Sequence, residues 1–402
     1  MIKLFDLAGS THHNILLLQG PVGPFFRYLA SDLQQEGCKV FKVNFNGGDW
    51  LFYPTKAVNY NSSFSEWPDF LERFIKEKKI DLVLLFGDCR PIHKKAHAVA
   101  TKLGVEVGVF EEGYVRPNYV TLERFGVNAN SSLLQRTREL IREQSDEPTS
   151  PQTVPHPYWH AMAWAMLYNL AATALSIFFG ENKHHRDLHI FDGIKWLRSF
   201  FRKKLYHIKE EKICSRLTKE LSGRFFLVPL QVNNDAQIHH HSRFHSNQEF
   251  IKEVMLSFSA HAPQDTFLVI KQHPLDRGYN NYGPLIRDLA DSLGILERTF
   301  LIHDFCLPTL LGCSIGVVVI NSTVGLSALH HKKPLIALGD AIYSRPELTF
   351  QGTLNEFWKN SKYSSGEFYN IFVSYIIQST QINGNFYRRL PVTGYRSGLI
   401  WS

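Results

Sequence analysis

The acid pair Glu111-Glu112 and Gly113 follow directly on the apolar run 105–110. A carboxylate at such a strand end can act as a base, orient a hydroxyl or stabilise developing positive charge. Consecutive strand positions point to opposite faces, so one acid can meet a ligand while its neighbour is held elsewhere. The alternative is an acid pair that opens a helix. A second stretch, Gln231-Val232-Asn233-Asn234-Asp235, closes the apolar run 226–230, and Asp235 is its only acid among amides. This carboxylate can attack an electron-poor sugar carbon and leave again, or it can form a turn or cap a helix.

Lys271-Gln272-His273-Pro274 follows a third apolar run, 266–270. Pro274 holds His273 toward an extended backbone, which sets its imidazole at the strand edge, able to donate to a phosphate beside Lys271; a satisfied core histidine is the alternative. After 317–320 come Asn321, Ser322 and Thr323, with Gly325 two residues on, hydroxyls that can cap a helix, grip a phosphate or do both. Two glycine-bearing junctions complete the set: Gly20 and Gly23 interleaved with Pro21 and Pro24, and Asn46 with Gly47 after the second apolar run. Glycine allows close backbone approach to a ligand, or simply a tight turn. Neither junction has the spacing of a dinucleotide fingerprint or a P-loop. Three consecutive histidines, 239–241, cannot readily turn to one ion and have no HExxH companion, so no metal is expected.

These residues need strands to place them. Apolar runs at 15–18, 40–43, 82–86 and 105–110 alternate with helix-like stretches 26–35, 70–78 and 94–103, and the pattern resumes at 225–229, 266–270, 299–302, 316–320 and 334–338. Such alternation predicts an α/β protein with parallel sheets and crossover helices, its candidate residues at the strand C-terminal ends. A chain of 402 residues suggests two domains. We expect them at 1–150 and 223–402, joined by a segment 151–222. That segment holds an uncharged apolar stretch, 157–180, read as a membrane span, a buried helix or a membrane-surface helix. A basic stretch, 183–212, follows with nine Lys/Arg against four Asp/Glu and with Trp196, Leu197, Phe200, Phe201 and Leu205 interleaved. Its pattern suits either an anionic lipid surface or a solvated helix at a domain interface. The formal charge of +7 points to an anionic partner: nucleic acid, a phosphorylated small molecule or an acidic membrane. Five scattered cysteines and the lack of a secretory leader pattern at the N-terminus suggest a cytoplasmic protein.

The runs GPVGPFF, VNFNGGD, FEEGY and LVPLQVNNDAQI, with the His273-Pro274 and Ser322-Thr323 pairs, resemble the capsule polysaccharide biosynthesis/export family, in particular its KpsS-type members. The motifs keep the family order from about residue 14 to 340; the linker and the C-terminal tail match less clearly. The resemblance implies a GT-B-like fold, two Rossmann-type domains facing across a cleft, with the acceptor on the N-terminal side and the nucleotide sugar on the C-terminal side. It implies a retaining β-Kdo glycosyltransferase that moves Kdo from CMP-Kdo to a (lyso)phosphatidylglycerol-type lipid, initiating the poly-Kdo linker of Gram-negative capsules. The acid-acid-Gly, His-Pro and Ser/Thr motifs also resemble those of bacterial sialyltransferases. By that resemblance His273, Ser322 and Thr323 bind CMP, with Lys271, Pro274, Asn321 and Gln231 in the donor set. The acid before the glycine, Glu112, lies at the reaction centre, with Glu111 as the alternative, and the resemblance of Gln231–Asp235 to the QVxxD motif of related Kdo transferases implies Asp235 as the nucleophile.

CMP leaves with a single phosphate, so cationic and N–H donors can stabilise its departure, and no cofactor or metal is expected. The implied partners are CMP-Kdo, the lipid acceptor, the anionic inner-membrane surface to which the protein attaches peripherally, and other capsule assembly or export proteins, with no nucleic acid. Two other readings stand beside this one: a non-catalytic component of an export complex, and a GT-B enzyme using a UDP-sugar.

Overall fold

Mostly parallel strands with crossover helices form two separate sheets in a computed structural model that describes residues 13–143, 150–179, 192–233, 236–363, 366–391 and 394–401. The chain divides into two compact units, one of Met1–Asp192 with Phe372–Ser402 and the other of Gly193–Ile371.

In the first unit the strands are β1 (Asn14–Leu17), β2 (Lys39–Asn44), β3 (Val58–Asn59), β4 (Leu82–Phe86), β5 (Glu106–Glu112), β6 (Tyr119–Arg124) and β12 (Gln381–Asn383), in the spatial order β12-β6-β5-β4-β1-β2-β3. Helices α1 (Phe25–Gln35), α2 (Gly47–Phe52), α3 (Trp67–Lys78), α4 (Pro91–Lys102), α5 (Arg138–Glu143) and α6 (Tyr158–Ala174) accompany them. Alternate strand residues feed two cores. Ile15 and Leu17 pack with Phe25 and Leu29 on one face, and Leu16 and Leu18 with Trp67 and Leu71 on the other. A sheet covered on both faces needs such continuous apolar strands.

Every apolar run expected to be a strand is one, to within a residue or two. The acid pair does not open a helix: Glu111 and Glu112 are the last residues of β5, which turns back into the antiparallel β6. The turn requires Gly113, where a Cβ would lie 2.1 Å from the Tyr119 carbonyl oxygen.

The second unit carries β7 (Phe225–Pro229), β8 (Phe267–Lys271), β9 (Thr299–Ile302), β10 (Gly316–Val319) and β11 (Leu335–Ala337) in the all-parallel order β11-β10-β7-β8-β9. Its helices are α7 (Asp192–Thr218), α8 (Ala236–His240), α9 (Asn247–His261), α10 (Gly283–Ser292), α11 (Leu307–Cys313), α12 (Val324–His330) and α13 (Leu354–Asn360); the chain passes back into the first unit within α14 (Gly366–Thr380). Phe226, Val228, Phe250, Phe258 and Phe357 centre its core.

The divisions expected at 150 and 222 are corrected by this partition. Segment 151–222 is not a unit of its own, because α6 packs on α2 in the first unit while α7 buries Cys214 and Leu217 in the second. The C-terminal tail belongs to the first unit: β12 pairs with β6, and Phe386 and Leu399 enter its core.

The glycine-bearing junctions meet α6 and a neighbouring ring. Cβ atoms at Gly47 and Gly48 would lie 2.2 Å from the Ala171 carbonyl oxygen and 2.6 Å from the Tyr168 ring; one at Gly23, where φ is +114°, would lie 3.2 Å from the Trp164 ring; one at Gly20 would lie 2.9 Å from the Phe26 ring. Trp164, Tyr168 and Ala171 thus form the inner row of α6, at helical spacing, and its C-cap Leu175 continues it. Its outer row, Trp159, Met166 and Leu170, is exposed and apolar, as is Ile177 in the 3-10 turn Ser176–Phe178 that follows. No helix among the described residues is long and apolar enough to cross a membrane. Gly47→Ala sets its Cβ against backbone that cannot swing aside, so we expect a loss of about 1–3 kcal/mol in unfolding free energy, read from the denaturant midpoint.

Candidate functional site

In the second unit strand order reverses between β7 and β10, and open α/β sheets bind ligands beyond the strand C-terminal ends at such a point. Gln231 and Asn321 sit there as a pair: Gln231 Nε2 donates to Asn321 Oδ1 (3.0 Å), and the Asn321 backbone N–H donates to Gln231 Oε1 (3.3 Å). Asn321 Nδ2 also donates to the carbonyls of Gln237 (3.0 Å) and His241 (3.2 Å). On the near side of the loop the Asn233 N–H donates to Asp276 Oδ2 (3.0 Å), and the Tyr282 hydroxyl donates to Asn233 Oδ1 (3.2 Å). Burial raises the Asp276 carboxyl to about 6. Asp235 lies outside the described residues; its loop is anchored at 233 and 237, on either side of it.

The end of β8 adjoins that of β7, with Pro229 in register with Lys271. Lys271 is buried, which lowers its ammonium pKa, as does the nearby Arg277. His273 Nδ1 accepts from the Leu275 N–H (3.1 Å), capping the short 3-10 helix Pro274–Gly278 that Pro274 begins. With Nδ1 accepting, the neutral ring carries its proton on Nε2 and is a donor there. Ser322 Oγ accepts from the Val324 N–H (3.2 Å), its carbonyl accepts from the Tyr343 hydroxyl, and Thr323 immediately precedes α12. A Cβ on Gly325 would lie 2.3 Å from the Tyr343 ring, so this glycine admits that contact. The expected donor residues therefore share three neighbouring strand ends, those of β10, β7 and β8.

The sequence reading missed the end of β9. His303 Nδ1 donates to Glu210 Oε1 (2.6 Å), while Glu210 Oε2 accepts the N–H groups of His303 (2.9 Å) and Asp304 (3.1 Å). Arg277 Nη1 pairs with Asp304 Oδ1 at 2.9 Å. The available signal was the polar pair His303-Asp304 directly after an apolar run.

In the first unit the order reverses between β1 and β4. Arg90 Nη1 spans that point, donating to Gln19 Oε1 (2.8 Å) and the Gly20 carbonyl (3.3 Å). Gln19 Nε2 donates to Asp49 Oδ2 (3.2 Å) and the Tyr168 oxygen (3.1 Å); the Tyr168 hydroxyl donates to Asp49 Oδ1 (2.9 Å) and accepts from Asn46 Nδ2 (2.8 Å). Arg90 and Tyr168 were not foreseen; Asp49 closes the run VNFNGGD, and Asn46 proves to cap α2 through the Asp49 N–H (2.9 Å).

The two acids of β5 diverge. Glu111 Oε1 accepts from the Glu112 N–H (3.0 Å), and its Oε2 lies 3.5 Å from where a Gly87 Cβ would stand, beside the switch point. Burial pushes the Glu111 carboxyl up to about 7, against the opposing pull of the Glu112 N–H and, less, of Arg90. Glu112 Oε1 instead accepts from the Tyr387 hydroxyl (2.9 Å) of the C-terminal tail. Among the described residues no group of three or more His, Cys, Asp or Glu side chains could hold a metal ion. His239 and His240 are exposed on α8, and His241 is buried.

Two doubly wound α/β units, each with polar side chains gathered at its switch point, define a GT-B-like protein. The chain belongs to the capsule polysaccharide biosynthesis protein family, whose match spans residues 81–387. It is 39% identical over 384 residues to the capsule polysaccharide export protein KpsS of Escherichia coli, covering 92% of this chain and 96% of that one. It is also 39% identical over 387 residues to the capsule polysaccharide modification protein LipB of Neisseria meningitidis serogroup B, covering 94% and 92%. A solved structure of Thermosulfurimonas dismutans KpsC, described as a beta Kdo 2,7 transferase, aligns with a TM-score of 0.45 at 16% identity, covering 94% of each chain.

Proposed function

We propose that the protein is a retaining glycosyltransferase that moves Kdo from CMP-Kdo to a (lyso)phosphatidylglycerol-type lipid, beginning the poly-Kdo linker of a capsular polysaccharide. The observation that bears most weight is the convergence of Gln231, Lys271, His273 and Asn321 on adjacent strand ends, the residue types a single leaving phosphate needs. Asp235 forms a bond to the anomeric carbon as the bond from that carbon to the phosphate oxygen breaks, and CMP departs with the electron pair. Lys271 and the Nε2–H of His273 stabilise that charge, so no metal is called for. The lipid hydroxyl then attacks the same carbon, the Asp235 ester breaks, and the hydroxyl proton passes to a general base, the role we give to Glu111. Two displacements give retention. The exposed apolar row of α6, tied through Tyr168 to the switch point of the first unit, supports a lipid acceptor, and hence peripheral attachment at the cytoplasmic face of the inner membrane beside other capsule assembly proteins.

Incubating the protein with CMP-Kdo and a phosphatidylglycerol analogue should yield CMP and an acceptor heavier by one Kdo residue. Transfer from a UDP-sugar alone would replace the donor, and no transfer from either would leave a non-catalytic export component.

A further inference from the structure

Helix α7 has two faces. Arg202, Tyr206 and Glu210 recur at every fourth position on the inner one. Arg202 Nη1 donates to the Arg277 carbonyl (2.6 Å), Tyr206 stacks on His303 with ring centroids 3.8 Å apart and planes 5° from parallel, and Glu210 receives the loop after β9. These contacts fix the helix about its axis and so decide which side it turns to solvent. That side is a row of Phe201, Leu205 and Ile208, exposed by 61%, 46% and 71%. Lys212 continues the row, with Lys204 and Lys209 along its two margins; all three are exposed, and Glu211 is the acid at its edge. The basic stretch expected from sequence is thus displayed in part, while residues 183–191 and the side chains of Trp196, Leu197 and Phe200 lie outside the described residues.

Scattered apolar residues on a surface are ordinary, but a continuous row framed by lysines on a pinned helix is an amphipathic platform. Acyl chains suit the row and headgroup phosphates suit the ammonium groups, since long lysine stems reach past apolar surface to place their charge at the interface. We infer that this outer face of α7 seats the chain on a bilayer of anionic phospholipid. The inference rests on the proposed function only for the choice of lipid.

Flotation of the full chain without donor tests it. Vesicles of phosphatidylglycerol mixed with phosphatidylcholine are expected to carry the protein up, and vesicles of phosphatidylcholine alone are not. Replacing Lys204, Lys209 and Lys212 together with glutamine should weaken binding on the order of a hundredfold. Replacing Phe201, Leu205 and Ile208 together with serine should weaken it too, leaving a remainder that salt abolishes. Both sets face solvent, so circular dichroism and the unfolding midpoint stay at wild-type values, as does transfer to a detergent-dispersed acceptor. Equal binding to both kinds of vesicle, binding to neither, or undiminished binding by the variants overturns the inference. Vesicle binding as expected with no sugar transfer would sink the transferase reading and leave this surface standing; the opposite result would remove the surface alone.

Discussion

Under the proposed double displacement, Asp235→Ala is expected to abolish sugar transfer, lowering kcat by about 10⁴-fold or more, because that mechanism loses the nucleophile that divides it into two steps. The fold should survive. The loop is held at its flanks by the Asn233 bond to Asp276 and the Gln237 bond to Asn321, neither of which uses the Asp235 side chain. The unfolding midpoint of the variant should therefore match the wild type. With donor present and acceptor withheld, the intact mass of the wild-type protein should rise by one Kdo residue, and the variant should stay at its own mass. Near-normal turnover by the variant would remove the double displacement and leave a mechanism without a covalent intermediate.

The candidate residues of the second unit were legible because each follows an apolar run. A run buried on both faces reads as a parallel strand, and a parallel strand delivers its next residues to the ligand-binding edge. Gln231, Lys271, His273 and Asn321 all obey that rule. The first unit was less legible, for a different reason in each case. Strand β12 is three residues long and pairs with β6 across some 260 positions of chain, a contact no local pattern announces. Gly23, Gly47 and Gly48 look like a ligand cradle because close approach demands glycine whatever approaches, and here the partner is α6. The apolar stretch 157–180 gave no sign of which side would pack, since it is apolar all round. The docking of Tyr168 on Asp49 and Asn46, with Trp164 and Ala171 against the glycines, selects an inner face for that helix. Arg90 stood unremarked in a polar stretch; its importance comes from the strand order, which puts β1 beside β4.

If Glu111 is the proposed base, Glu111→Gln is expected to lower kcat/KM by about 10²- to 10⁴-fold, the usual worth of a general base. Glu112→Gln should cost far less, because the Glu112 carboxylate is engaged by Tyr387 while that of Glu111 lies beside the switch point. The pH dependence distinguishes a base from a structural acid. Burial lifts the Glu111 carboxyl from its ordinary 4.5 to about 7, so the wild-type kcat/KM should climb as pH rises toward neutrality and level off above about 7. The residual activity of the glutamine variant should lack that limb. Stability must move the opposite way. The folded chain holds this proton more tightly than the unfolded one, so the group contributes stability that is fully present below 4.5 and is lost as pH rises through about 7. Glutamine has no proton to lose, and the variant should therefore gain on the wild type in unfolding free energy across that interval. Arg90→Ala supplies the converse, since withdrawing the guanidinium that favours the carboxylate should push the activity limb to higher pH. A limb that stays in place in the Glu111→Gln variant would assign the titration, and with it the base, to another group.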